Sequence, residues 1–421
     1  MRLKEKLPSY IHWILLSIFF GYQFLLRSSV GTFTNEIRQT FHLDSEQFAN
    51  LAVYTMLAYS VLQIPFGILL DKVGIRRVIL PALTLCIIGQ YLFTHASSYS
   101  MALLGRIILG IGCVPGYIGV IKLIVECFPE KSSLFIGISS AFGVLFTAAG
   151  NPIIKWICLH YNTWFASSHC MIYAGIVLLV TCFLLLRPKQ TVVMSQTDTN
   201  NLGARIKSVF FNYKLYICAL FVIGTNIVAM VFADLWAPSF LHTKYSISEL
   251  CAVSYTQLIY TGCIIGTLVL CALCNGINKI LLGIRLSLLM MLFILSFLAY
   301  GNPSWPLFYL PIALFLLGFF GSADVLAFSC GASISTPKTA GMTASLINSL
   351  GMVGEPILQW GMGKVLKMNW DGTVNASGLQ LYSTANYETA LGIFIKLTIG
   401  VFIIACCYRV KKHTQVMDSA S

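Results

Sequence analysis

Long apolar stretches separated by short polar turns run the whole length of this chain of 421 residues. A helix needs about 20 apolar residues to cross the hydrocarbon core of a bilayer. Measured against that length, the pattern predicts twelve membrane-spanning helices, which we number as spans 1 to 12. They fall near residues 10–33, 47–70, 78–96, 101–125, 133–156, 164–186, 213–241, 250–273, 280–299, 306–330, 340–366 and 387–408.

The order of polar segments divides these spans into two halves. Residues 187–210 form a long polar interior segment and predict a flexible linker. It separates a six-helix bundle at 1–186 from a second six-helix bundle with a short tail at 211–421. The sequence GNPIIKW at 150–156 in span 5 returns as GEPILQW at 354–360 in span 11. Such a match in equivalent spans indicates a parallel internal repeat, as found in secondary transporters.

Composition fixes the class. The residues are 57% hydrophobic and 10% charged, with mean hydropathy +0.81, whereas soluble domains carry about 25% charged residues. We therefore predict an all-α integral membrane protein in contact with lipid. Its first apolar stretch is too long for a cleaved signal peptide and is the first span. The 14 cysteines lie mostly in apolar runs without metal-ligand spacing, so we expect no metal and no cofactor.

The basic residues set the expected orientation. With the N-terminus inside, 18 of the 27 Lys and Arg residues fall in cytoplasmic segments and 5 in outer ones. This bias predicts that both termini face the cytoplasm, in a membrane of the bacterial inner type. Because the bases behind the net charge of +12 lie in short loops beside the spans, we expect no nucleic-acid partner.

The turn between spans 2 and 3 combines one acid, three bases and two glycines, at Gly67, Asp71, Lys72, Gly74, Arg76 and Arg77. Gly67 would allow close approach of another helix, and Gly74 would allow a turn with positive φ. The alternative is that the three bases only follow the positive-inside bias. The second-half counterpart near 275–279 has no acid, so a latch at this turn would be controlled mainly from the first bundle.

This turn resembles the signature loop of the major facilitator superfamily, and Arg106 with Gly110 and Gly112 resembles that family's span 4 motif. The resemblance implies two pseudo-symmetric six-helix bundles that rock about a central site lined by spans 1, 4, 7 and 10. It also implies that Asp71 caps a neighbouring helix N-terminus and engages a cytoplasmic arginine in a conformational latch, to which we assign Arg106. Segments 22–29, 119–129 and 318–323 are similar to a branch containing bacterial carriers and the animal lysosomal dipeptide transporter.

Charges inside spans are candidate functional groups because each costs at least ~2.5–3.5 kcal/mol at mid-bilayer. Seven stand out, at Arg27, Arg106, Lys122, Asp234, Asp324, Glu355 and Lys396. The first half contributes only bases, and the second half contributes the three acids, with Lys396 as the exception. A cavity with a basic wall and an acidic wall suits a zwitterion.

Arg27 is the best candidate for the substrate carboxylate, because a guanidinium binds a carboxylate through two hydrogen bonds. The other predicted substrate contacts are Tyr22, Gln23, Lys122, Asn226, Asp234, Trp236 and Asn348. Structural alternatives stay open. Lys122 could pair with Glu126 one turn on, Asp234 could cap a kink at Pro238, and Arg106 or Asp324 could tie helices together.

Glu355 is the first candidate for proton coupling, with Asp324 and Asp234 as rivals. It precedes Pro356, which leaves a carbonyl one turn earlier without its usual donor, and its repeat counterpart is Asn151. The scaffold therefore needs a polar group there but not a charge. Glu355 as a hydrogen-bonding strut is the alternative.

These features together predict a secondary active transporter, not an enzyme. It would move a small zwitterionic or anionic solute, such as an amino acid, short peptide or organic acid, by proton-coupled uptake as a monomer. A nucleotide site of the Gly-x4-Gly-Lys type is absent from the sequence. The rival functions are proton-driven efflux of a drug or siderophore and, in another class, a membrane sensor on the same scaffold.

Overall fold

The computed structural model describes residues 2–128, 132–186, 207–274, 276–302, 308–335, 339–374, 378 and 380–409. Most of the predicted linker therefore lies outside the described residues. The helices follow the predicted spans in order. They are Arg2–Thr32, Ser45–Val73, Ile75–Thr94, Tyr99–Cys127, Ser132–His160, Trp164–Leu185, Tyr213–Tyr245, Glu249–Leu273, Ile277–Tyr300, Tyr309–Ser333, Ala340–Met368 and Thr384–Cys407. A short helix, Thr34–Phe41, follows span 1.

Ten of these helices are long and apolar enough to cross a membrane by length and composition. The other two, spans 2 and 11, have 29 residues each and pack against each other where the bundles meet. The chain is thus a multi-pass integral membrane protein with the predicted twelve spans, and the predicted fold class is confirmed.

The main contacts between the bundles run along three pairs of spans. Span 2 packs on span 11, span 5 on span 8, and span 1 on span 7. The last contact is very close, because a Cβ added at Gly31 of span 1 would collide with the backbone carbonyl of Asp234 in span 7. Small residues at such contacts let helix backbones approach.

Three of the four spans that the family resemblance assigns to the central cavity are irregular. Span 7 contains π-helical turns at Ile223–Ile227 and Phe232–Trp236. Span 4 breaks between Cys113 and Pro115, and span 10 breaks between Gly321 and Asp324. Such interruptions are frequent where transporter helices line a binding site.

The turns between spans 2 and 3 and between spans 8 and 9 have the same backbone form. Gly74 has φ +86° and Gly276 has φ +89°, values that side-chain-bearing residues rarely adopt. The positive φ predicted for Gly74 is confirmed. Its recurrence in the second half extends the internal repeat to a turn whose sequence has diverged.

Candidate functional site

A small cavity lies at the centre of the protein, where both bundles contribute charged side chains. Its volume of about 10 Å³ is room for about one water molecule. Its polar lining comes from Arg27, Thr55 and Arg106 of the first bundle and from Asp234, Glu355 and Gln359 of the second. The structure therefore brings together three of the charges that the sequence singled out as substrate or proton groups.

Arg27 is held by aromatic rings, not by an acid. Its guanidinium carbon lies 4.6 Å from the ring centre of Phe24 and 5.0 Å from that of Tyr59. Its Nε is buried without a hydrogen-bond partner. Among the described residues, no carboxylate oxygen comes within ion-pair distance of this guanidinium. The charge is thus fixed in place and left available to a ligand.

The two acids of the cavity are anchored differently. Asp234 lies in the second π-helical turn of span 7 and accepts a hydrogen bond from the Tyr260 hydroxyl of span 8. Glu355 is 4% exposed and accepts a 3.3 Å bond from the Gln359 amide nitrogen on its own helix. Both act on Arg27 electrostatically across the bundle boundary.

The Arg106 guanidinium donates hydrogen bonds to backbone carbonyls. It is fully buried and donates to the carbonyl oxygens of Leu26 at 3.1 Å, Leu51 at 3.2 Å and Arg27 at 3.4 Å. It therefore ties span 4 to spans 1 and 2, which is the structural alternative that the sequence left open. It lies at the centre of the protein and not at the Gly67–Arg77 turn.

Asp324 begins the second half of span 10, where its carboxylate accepts from the backbone nitrogen of Val325 at 2.9 Å. Asn226 lies half-buried in the first π-helical turn of span 7. Asn348 is half-buried on span 11, seven residues before Glu355 and therefore on the same helix face.

Three predicted substrate contacts point elsewhere. The Tyr22 hydroxyl donates to the Met171 carbonyl of span 6 at 2.9 Å. Gln23 is buried against Gly116 of span 4. Trp236 is 2% exposed and packs edge-on against Phe48 of span 2. The sequence could not distinguish these directions, because the polar residues of spans 1 and 7 are too few to mark a single face.

Lys122 also lies away from the cavity. Its Nζ donates to the carbonyl of Leu70 in the last turn of span 2 at 3.0 Å and lies 3.8 Å from Glu126. The same carbonyl also accepts from the Gly74 backbone nitrogen at 3.1 Å, and a cation near a helix C-terminus interacts favourably with the helix dipole. The pairing with Glu126 is the alternative that the sequence analysis left open.

The signature turn has a defined contact at Arg76, which donates to the Phe183 carbonyl of span 6 at 2.9 Å and lies over its ring. Lys72 and Arg77 are exposed. The side chain of Asp71 lies outside the described residues, so its predicted capping role stays a prediction. No described residue of another helix lies within 4 Å of a Cβ placed on Gly67, so none of them makes the expected close helix contact in this conformation.

An ion-pair cluster that the sequence analysis missed joins spans 5 and 8 at the opposite end. Lys155 Nζ lies 2.6 Å from Glu36 and 2.5 Å from Glu249, and Asn35 donates to Glu249 at 2.9 Å. The Lys155 side chain is 3% exposed. The available signal was a lysine at the end of span 5 and an acid in the first turn of span 8, but sequence alone does not pair them.

A second cluster joins spans 2 and 11 at the same end. Lys367 lies 3.0 Å from both Asp44 and Glu46, and its side chain is 43% exposed. The Ser45 hydroxyl donates to the Gly363 carbonyl at 2.7 Å. We call this end of the protein the closed end and the end with the Gly67–Arg77 turn the open end.

The terms closed end and open end describe where the described bonds between the bundles lie. Among pairs of described residues, the interbundle bonds lie at the closed end or, for Ser60 with the Met352 carbonyl at 3.4 Å, near the centre. Gly67 and Gly137 lie 18 residues from Ala49 and Lys155. Eighteen residues are five helical turns, so both glycines continue the faces that meet the other bundle. Among the described residues, no other helix comes within 4 Å of a Cβ added to either glycine.

A central charged site between two bundles, sealed at one end, defines the class of secondary transporters. A sequence profile of the Major Facilitator Superfamily matches residues 15–357, and the chain belongs to this family. The family predicted from the signature turn is confirmed.

Among curated proteins, the chain is 28% identical over 162 residues to an uncharacterized transporter of Buchnera aphidicola, covering 37% of this chain and 40% of that protein. It is 24% identical over 249 residues to the probable L-galactonate transporter of Escherichia coli, covering 55% of this chain and 54% of that protein. These matches therefore span about half or less of the relatives' lengths.

Solved structures share the fold over nearly the whole chain. A bacterial homologue of the human lysosomal transporter Spinster, in an inward-facing and unoccupied conformation, superposes with TM-score 0.74 at 16% identity and 95% coverage of both chains. The nucleoside transporter NupG superposes with TM-score 0.72 at 15% identity, covering 94% of this chain and 99% of that one.

Proposed function

We propose that this protein takes up a small carboxylate-bearing solute, zwitterionic or anionic, by proton-coupled alternating access. The observation that carries the proposal is Arg27, a half-buried cation of the first bundle whose Nε is buried and which no carboxylate of the described residues pairs with. It lines the same cavity as Asp234 and Glu355 of the second bundle. A guanidinium kept free of ion pairs is suited to bind a carboxylate. The relative named as a probable L-galactonate transporter makes a hydroxylated acid a further member of this solute class.

The two carboxyl groups supply the coupling. A proton on either changes the net charge of the cavity, and with it the strength with which Arg27 holds an anion. Glu355 is the stronger candidate because its anchor, Gln359, lies on its own helix, whereas Asp234 is already held by Tyr260. The coupling proton would therefore reside on Glu355.

The proposed orientation places the open end in the cytoplasm of a bacterial inner membrane, as the distribution of basic residues favours. The conformation is then inward-facing. Closing the open end and breaking the two ion-pair clusters of the closed end would expose the central charges to the outside.

Uptake and counterflow into proteoliposomes test the function. Amino acids, dipeptides and sugar acids are expected to exchange, and an inward proton gradient is expected to drive their accumulation. Exchange of lipophilic cations without exchange of acids would favour the efflux alternative.

Substitutions of Arg27 test the site. Arg27→Gln removes hydrogen bonds to a charged group, so the KM for the acid is expected to rise by about 10- to 100-fold. Arg285→Gln is the matched control, because among the described residues Arg285 donates to the backbone carbonyls of Ala405 and Tyr408 and not to an acid. An unchanged KM in Arg27→Gln would refute the assignment.

Glu355→Gln tests the coupling separately. The variant is expected to keep counterflow exchange and to lose proton-driven accumulation, because the amide cannot carry the proton. Full pH dependence in this variant would move the coupling to another carboxyl group, with Asp234→Asn as the next variant.

A further inference from the structure

Two buried polar atoms of the central cavity lack partners, and they lie on opposite bundles. One is Arg27 Nε, a donor, and the other is Gln359 Oε1, an acceptor. Leaving a buried polar group unpaired costs free energy, so each such atom in a native structure calls for an explanation. A ligand that accepts a hydrogen bond at one end and donates at the other would satisfy both.

The orientation of Gln359 follows from its neighbour. Gln359 is 2% exposed, and its Nε2 donates to Glu355 Oε1 at 3.3 Å. While Glu355 is ionised, turning the amide over would place two acceptor oxygens together, so in that state the bond to Glu355 fixes the carbonyl of Gln359 as the free group. Gln359 is thereby held with one acceptor uncommitted.

The internal repeat does not assign this role. The equivalent position in span 5 is Lys155, which lies four residues after Asn151 as Gln359 lies four residues after Glu355. Lys155 closes one end of the protein, whereas Gln359 lines the central cavity. The same place in the repeat has taken two different tasks.

We propose that Gln359 Oε1 and the Glu355 carboxylate form a subsite for an N–H or O–H donor of the solute, an ammonium or hydroxyl group, which makes Gln359 a specificity-determining residue. A site that leaves a buried hydrogen-bonding group unpaired discriminates strongly against an analogue without the matching group. Gln359 therefore selects amino or hydroxy acids over plain carboxylates. The inference rests on the proposed function in taking Arg27 as the holder of the carboxylate.

Binding of matched pairs to the purified full-length protein tests the subsite. The probes are L-alanine and propionate, L-alanyl-L-alanine and propionyl-L-alanine, and gluconate and hexanoate. Wild type is expected to bind the donor-bearing member of at least one pair about tenfold tighter or more. Gln359→Leu is expected to reduce that preference by about tenfold and to leave the Kd of the plain acid nearly unchanged.

Gln90→Leu is the matched control. Gln90 is 1% exposed, donates to the Ser168 hydroxyl at 2.7 Å and also has an unpartnered Oε1, but it lies between spans 3 and 6. Its substitution removes the same buried amide and is expected to leave the preference unchanged. A folded Gln359→Leu protein with wild-type preference, or an equal loss in Gln90→Leu, would overturn the subsite.

Failure of the proposed function has a different signature. If wild type binds a neutral hydroxylated probe such as uridine and none of the acids, the carboxylate proposal fails. The subsite is then tested with uridine and its deoxy analogues in the same variants. If no probe of either kind binds, both proposals are overturned.

Discussion

The two ends of this protein differ in how the bundles meet. At the closed end, Lys155 and Lys367 each cross to carboxylates of the other bundle. At the open end, Gly67 and Gly137 lie on the corresponding helix faces, and no described residue of another helix lies within 4 Å of a Cβ added to either. The faces of spans 2 and 5 that meet the other bundle thus each carry an ion-pair cluster at the closed end and a glycine about five helical turns away at the open end. Alternating access requires both, because the open end must close before the contacts at the closed end separate, so that the two ends are never open together.

Breaking the buried ion-pair cluster around Lys155 should have the largest effect on the closed end. Lys155→Gln leaves Glu36 and Glu249 close together without a cation, which should destabilise the closed end by about 3 kcal/mol. This is the lower part of the range for a broken buried pair, since these carboxylates are 21% and 30% exposed. Spin-label distances between spans 5 and 8 are expected to lengthen at this end. Unaltered distances would show that Lys155 does not hold it.

A substitution at Gly74 tests whether the backbone conformation of the turn at the open end is required. Gly74→Val places a side chain at φ +86°, where strain costs about 1–3 kcal/mol. Thermal stability and transport are both expected to fall while membrane expression persists. Gly276→Val, at φ +89° in the equivalent turn, is the matched variant. Wild-type transport in Gly74→Val would mean that the turn conformation is not needed for the cycle.

Filling the open face should trap one conformation. Gly137→Phe occupies space that is free here and would obstruct closure against span 8, so transport is expected to drop about tenfold, equivalent to about 1.4 kcal/mol, with ligand binding retained. Gly400→Phe on span 12 is the control, because it also has no atom within 4 Å of an added Cβ and lies outside the three interbundle pairs of spans. Equal losses in both variants would contradict this interpretation.

Breaking the exposed ion-pair cluster around Lys367 should have the smallest effect on the closed end. Lys367→Gln removes ion pairs whose lysine is 43% exposed, and exposed pairs contribute about 0–1 kcal/mol. Spin-label distances between spans 2 and 11 are expected to change little, and less still at high salt. A shift in distance as large as that of Lys155→Gln would show that burial of the lysine does not determine how much each ion-pair cluster stabilises the closed end.

Much of the fold and part of the site followed from the sequence. Apolar length predicted the spans, the signature turn predicted the family, and the cost of charges in a membrane pointed to Arg27, Asp234 and Glu355. Side-chain direction did not follow, because a span that is apolar all round has no polar face to orient it. Lys122 was therefore predicted at the cavity but contacts Leu70. The ion-pair clusters at Lys155 and Lys367 join the two bundles through residues more than 90 positions apart in the sequence. No local sequence pattern predicts such pairs.

The sequence by itself determined that the chain crosses the membrane twelve times in two related halves, because burial of apolar residues in lipid depends on local composition. Only the tertiary structure decided which charges meet, which end is sealed and that Gln359 joins the central site. Those outcomes depend on the relative placement of two bundles, and the side-chain contacts between them are set by packing and electrostatics in three dimensions.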